Sequence, residues 1–171
     1  PKAALPWYTG KDGGRPFSKP AGCRAVPMLG KAAIFEDRRS KGMKLGTKGR
    51  KEQIVTEGML AKHVGSGTVS VFATPMMIAG LEGTAEESVR DGLETGKTTV
   101  GTRMDCTHLA PTPAGMKVWF ETELVEIDGK LLTFRVQAFD ECGLIGEGTH
   151  QRAIVTKERF EARAKEKLSR G

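Results

Sequence analysis

No apolar run in the 171 residues approaches the roughly 20 that a membrane span needs, which argues against a membrane protein. Cysteine is scarce as well. Cys23, Cys106 and Cys142 are odd in number, widely spaced and without a CxxC pair, so neither a disulfide framework nor a zinc module is indicated. No metal site is expected, and a reducing cytoplasm fits this cysteine usage. The first residues also lack the long apolar core of a secretory signal.

Acidic charge is missing from one end only. Residues 1–42 carry nine Lys and Arg against three Asp and Glu, which accounts for the whole formal charge of +6 and leaves eighteen of each sign for residues 43–171. A neutral folded part makes nucleic acid an unlikely partner, because phosphate binding needs cations clustered on the docking face. The same 42 residues hold five of the eight prolines and show no sustained period. They read as a basic Pro/Gly-rich extension dispensable for the domain, and Met43 is a plausible start of a single domain over 43–171. With 38% hydrophobic and 28% charged residues, that domain has an ordinary globular composition.

What is present turns on one helix. Gln53-Ile54-Val55 suggests a short strand, Gly65-Ser66-Gly67 breaks the chain, and Val69-Ser70-Val71-Phe72 leads into Thr74-Pro75. Thr74 suits an N-cap and Pro75 the first helical position, where a missing N–H costs nothing. Met77, Ile78, Leu81, Ala85, Ser88 and Val89 recur at helical spacing as far as Gly92. Extended segments follow at 98–107, 116–127, 130–140 and 144–155, with Asp128-Gly129 as a two-residue hairpin signal. A charged segment over 157–168 predicts a solvated closing helix. One helix before a long meander is an α+β layout in which an antiparallel sheet covers the helix's apolar stripe. Such a sheet leaves a helix flank and an edge needing cover, so at least a dimer is expected.

The stretch from Phe72 to His108 sets a hydroxyl, a carboxylate and an imidazole around that helix. Acyl transfer and hydrolysis need such groups: a nucleophile or base, a proton carrier and a donor for the developing oxyanion. Each has a structural alternative. Thr74 could act purely as a cap, Glu82 as a solvated helix charge, and His108 as a surface histidine. His63 and His150 read as structural or surface groups. Cys106 lies two residues before His108 on one strand face, yet no activating group or third ligand accompanies the pair.

Four separated segments carry a family resemblance: Val71-Phe72-Ala73-Thr74 with Leu81-Glu82, Val100-Gly101-Thr102, Thr107-His108 through Thr112-Pro113 and Gly115, and Gly146-Glu147-Gly148-Thr149-His150 with Arg152. In this colinear order, over about 51–160, the chain resembles hot-dog fold thioesterases, within them the fluoroacetyl-CoA thioesterase group. The resemblance implies a sheet wrapped around one central helix, a homodimer or higher oligomer with active sites between subunits, and cofactor-free hydrolysis of an acyl-CoA substrate to free acid and CoA. The family's catalytic threonine, glutamate and histidine fall on Thr74, Glu82 and His108, with Glu82 as nucleophile or as base for a water.

By the same resemblance Arg152 would contact the CoA phosphates, the alternative being a solvated strand charge; Gly101, lacking a side chain, would let backbone approach the thioester or else mark a β-bulge; and at the helix start the exposed N–H groups of Met76 and Met77 would help Thr74 polarise the carbonyl. Phe72, Met76, Met77 and Ile78 would wall an adaptable apolar pocket. Fluoroacetate-specific relatives have aromatic residues ahead of the threonine that help shape a lid; Gly65-Ser66-Gly67-Thr68 supplies none. The alternative function is a non-catalytic acyl-CoA-binding module of the same fold.

Overall fold

A computed structural model describes residues 43–169. The basic extension over 1–42, and the expectation that it is dispensable, lie outside the described residues. Five strands, β1 (Lys48–Ile54), β2 (Lys97–His108), β3 (Lys117–Asp128), β4 (Leu131–Asp140) and β5 (Gly143–Thr156), form one antiparallel sheet in the order β1-β3-β4-β5-β2. A short helix α1 (Ala61–Val64) precedes the long helix α2 (Thr74–Val89), and α3 (Lys157–Lys165) closes the chain with every residue exposed. No helix among the described residues is long and apolar enough to cross a membrane.

Alternation explains how the sheet takes the helix. Val118, Phe120, Thr122 and Leu124 on β3, and Leu132, Phe134, Val136 and Ala138 on β4, all point inward and are buried. They meet Met77, Leu81, Thr84, Ala85 and Val89 on α2. Burying these side chains is worth about 1.5–3 kcal/mol for each large one, which fixes the register because a one-residue slip would turn the set to solvent. Gly80 lies directly under the Phe120 ring, where any Cβ would overlap it, so helix and sheet pack at backbone distance there.

Two sequence expectations shift. The first strand starts five residues before Gln53, because residues 48–54 pair with β3 from Lys48↔Glu123 to Ile54↔Lys117. Asp128 still pairs, opposite Leu131, so the hairpin's two turn residues are Gly129 and Lys130, with Gly129 at φ 55°.

One buried knot positions the chain ahead of α2. Asp140 accepts from the Thr112 hydroxyl at 2.8 Å and from the N–H groups of Cys142 and Gly143 at 2.8 and 3.2 Å, while the Thr112 carbonyl accepts the Phe72 N–H at 2.8 Å. Thr112 is fully buried. Asp140→Ala is expected to lower stability by about 1–3 kcal/mol, because it strands a buried hydroxyl and two N–H donors. Chemical denaturation measures this; an unchanged midpoint would refute the knot.

Candidate active site

Helix α2 begins one residue earlier than a threonine cap would put it. Ala73 is extended (φ −77°, ψ 137°), and its carbonyl accepts the N–H groups of Met76 and Met77 at 3.0 Å each. Thr74 is thus the first helical residue and its side chain makes no cap bond. The hydroxyl instead lies 2.9 Å from Nδ1 of His108, at the end of β2. The two N–H groups expected to face a substrate are occupied by Ala73. Thr74's own N–H is the first-turn donor without an acceptor among the described residues.

His108 is set by its neighbours. The Leu109 N–H bonds the Ile145 carbonyl at 2.7 Å, and Phe72 meets the imidazole edge to face at 6.5 Å and 81°. Burial pushes the imidazole below the usual histidine range, only partly offset by the nearby Ala110 backbone. Its Nε2 is buried without a hydrogen-bond partner among the described residues. Thr74 and His108 open on a cavity of about 300 Å³. Its wall is mainly small residues: Ala61, Ser66, Gly67, Ala73 and Ala110, with Val69, Val71, Phe72 and Pro111.

Glu82 stands elsewhere in the same chain, eight residues on and so roughly 12 Å further along the helix axis. Its side chain is 40% exposed, with Oε1 3.7 Å from Nε2 of a fully buried His150. A Cβ at Gly101 would sit 2.5 Å from that same oxygen and 3.3 Å from the His150 ring. Gly101 also flanks a bulge, since the β2–β5 register shifts between Gly101 and Arg103. The missing side chain at 101 therefore makes room for the Glu82 carboxylate. Glu86, one turn beyond Glu82, bonds Arg90, and this partner holds its carboxyl below the usual range.

Arg152 faces inward. Its guanidinium donates to the Thr99 hydroxyl at 2.8 Å, the Thr99 carbonyl at 2.9 Å and the Glu82 backbone carbonyl at 3.3 Å, and lies 3.1 Å from His150 Nε2. It is 7% exposed, with its guanidinium taken up by partners within the fold. Among the apolar residues expected at the pocket, Phe72 lines the cavity; Met76, Met77 and Ile78 do not, and Met77 is wholly buried in the core. The Cys106 thiol is pushed up by burial, away from the thiolate a nucleophile needs. Among the described residues no cluster of His, Cys, Asp and Glu could hold a metal ion.

Sequence reasoning set His150 aside as structural or surface. The signal was present: His150 and Arg152, two apart on one strand, must share a face, and the apolar residues of β4 opposite show which face is inner. The wall over 61–71 gave no such signal, because small residues in an irregular segment carry no period.

His150, fully buried, and His108, half-buried, both bear on acid stability. Burial is the largest cause holding His150, like His108, below the usual range. Above about pH 6.5 folded and unfolded chains carry the same charge at these sites; below it the unfolded chain gains protons that the folded one resists, so acidification destabilises. The melting temperature is expected to fall between about pH 7.5 and about pH 5.5, before the carboxylates titrate. A flat profile over that window would contradict the desolvation of these two rings.

Known proteins share this architecture. A hot-dog-like protein from Thermanaerovibrio acidaminovorans superposes with a TM-score of 0.67 at 22% identity, covering 73% of this chain and 93% of that one. A thioesterase superfamily member from Thermus thermophilus does so with a TM-score of 0.70 at 28% identity, covering 77% of this chain and all of that one. The fold is that of the hot-dog thioesterases. A solved fluoroacetyl-CoA thioesterase gives a TM-score of 0.71 at 32% identity, covering 74% and 98% of the two chains. The fluoroacetyl-CoA thioesterase of Streptantibioticus cattleyicolor is 38% identical over 101 residues, 59% of this chain and 73% of that protein. Residues 55–158 match the family model described as fluoroacetyl-CoA-specific thioesterase, and the chain belongs to that family of thioester hydrolases.

Proposed function

We propose that the protein hydrolyses an acyl-CoA thioester to free acid and CoA at a site composed from two copies of the chain. The carrying observation is the Thr74–His108 hydrogen bond opening on the 300 Å³ cavity, in a member of a thioesterase family. The acyl group occupies the cavity with its carbonyl against the start of α2. The Thr74 N–H and hydroxyl donate to that oxygen, and His108 donates from Nδ1 to the Thr74 oxygen, so that three donors share the charge that grows as the tetrahedral centre forms. This leaves a lone pair, rather than an N–H, on the unpartnered Nε2.

Attack needs an ionised carboxylate, whether it takes the proton of a water or bonds the acyl carbon itself, and Glu82 supplies it. Within one chain Glu82 is too far along α2 to reach the Thr74 side. A second copy packed over the exposed flank of α2 would bring its Glu82 to face the first copy's cavity. The aromatic-poor wall over 61–71 favours acyl groups broader than fluoroacetyl. Free-thiol release from a panel of acyl-CoAs tests the activity: hydrolysis of at least one is expected, and binding without thiol release would instead indicate a non-catalytic acyl-CoA module.

A further inference from the structure

We propose that His150 is a positioning residue that keeps Arg152 off the Glu82 carboxylate, leaving that carboxylate free to act. The inference rests on Glu82 supplying the attacking carboxylate. Its basis is hydrogen-bond direction. His150 Nδ1 lies 2.8 Å from the Arg103 carbonyl, an acceptor only, so Nδ1 carries the proton. Nε2 lies 3.1 Å from Arg152 Nη1, a donor only, so Nε2 presents its lone pair. The two neighbours together select one neutral tautomer.

That tautomer offers Glu82 nothing. Oε1 is 3.7 Å from a lone pair and no hydrogen bond to either carboxylate oxygen is made among the described residues. The nearest cation, Arg152, is tied to Thr99, to the Glu82 backbone carbonyl and to the imidazole. The ring is thus a wedge between a buried cation and a carboxylate that would otherwise pair. Gly101 completes the slot by admitting the carboxylate against β2. The charged groups acting on the ring are Glu82 from α2 and Arg152 from β5, with Glu86 from α2 acting on Arg152; Phe134 faces the ring from β4, and Arg103 and Asp105 on β2 pair with each other on the exposed side.

Two substitutions separate the ring's nitrogens. Gln places an acceptor near the position of Nε2 and can still hold Arg152; Asn reaches only the Nδ1 position and releases it. In His150→Asn the acid limb of kcat/KM for thioester hydrolysis should move about one pH unit lower and kcat should fall about tenfold with little change in KM, as expected of a carboxylate given a cationic partner. His150→Gln should keep the wild-type limb. Nitrogen NMR of the wild type supplies a readout that folding defects in a variant cannot blur: His150 should remain the neutral Nδ1–H tautomer from about pH 8 to about pH 6. A doubly protonated ring at neutral pH, or a folded His150→Asn with an unmoved acid limb, would overturn the proposal. If Glu82→Ala in parallel turned over at the wild-type rate, the role of Glu82 would fall and this proposal with it, whereas a wild type that released no thiol would overturn the hydrolytic reading itself. An inactive Glu82→Ala beside an unmoved His150→Asn limb would overturn the role of His150 alone.

Discussion

Glu82→Ala is expected to lower kcat for acyl-CoA hydrolysis by about 10²–10⁴-fold while changing acyl-CoA binding only slightly, the range over which a positioned acid or base accelerates a reaction. On the proposed reading the carboxylate acts in the transition state rather than in holding the acyl group, and Glu82 does not line the cavity of its own chain. Glu82→Gln should lose nearly as much, since it keeps the shape that fits beside Gly101 and removes only the charge. The side chain is 40% exposed and its carboxylate accepts no hydrogen bond among the described residues, so neither substitution should cost much stability. Stopped-time thiol release together with equilibrium binding decides the matter. Turnover within a few-fold of wild type would remove Glu82 from the chemistry.

Mixing two dead variants should restore activity. If Thr74 and His108 come from one copy and Glu82 from the other, a dimer of Glu82→Ala with His108→Ala contains one site with every group intact and one with neither. Random exchange makes about half of the dimers mixed, so about a quarter of wild-type turnover should return from two inactive samples. Subunit exchange by brief mild denaturation followed by thiol release reads this directly. No recovery, with exchange verified by mass, would place all three groups in one chain's site and require α2 to present Glu82 to the cavity by some other route.

The legible and illegible parts of this molecule divide along physical lines. α2 could be read because its buried residues recur at helical spacing, and β3 and β4 because their inner residues alternate. Turn and helix starts were legible to within a residue: Asp128 kept its pair, and Ala73 took the cap position from Thr74. That single-residue difference has a chemical result, since it releases the Thr74 hydroxyl to His108. Direction of burial was harder. An arginine on a strand reads as solvated or anion-binding, and only the packed sheet turns Arg152 toward Thr99 and His150. Thr74 and Glu82 share a helix, and sequence spacing suggested one constellation; two turns of rise put them at different places along it.

The small residues around the 300 Å³ cavity also bear on how readily such a protein changes its diet. Gly67 faces the Ala61 methyl across ordinary contact distance, with room for a Cβ at 3.5 Å. Ser66, Ala73 and Ala110 complete a wall with few large side chains to relocate. Each of these positions is one substitution away from a bulkier neighbour, and none belongs to the Thr74–His108 pair or the slot around Glu82. Acyl length can therefore drift in small mutational steps while the reacting groups stay fixed, so a lineage moving between short and longer acyl groups need not pass through an inactive ancestor.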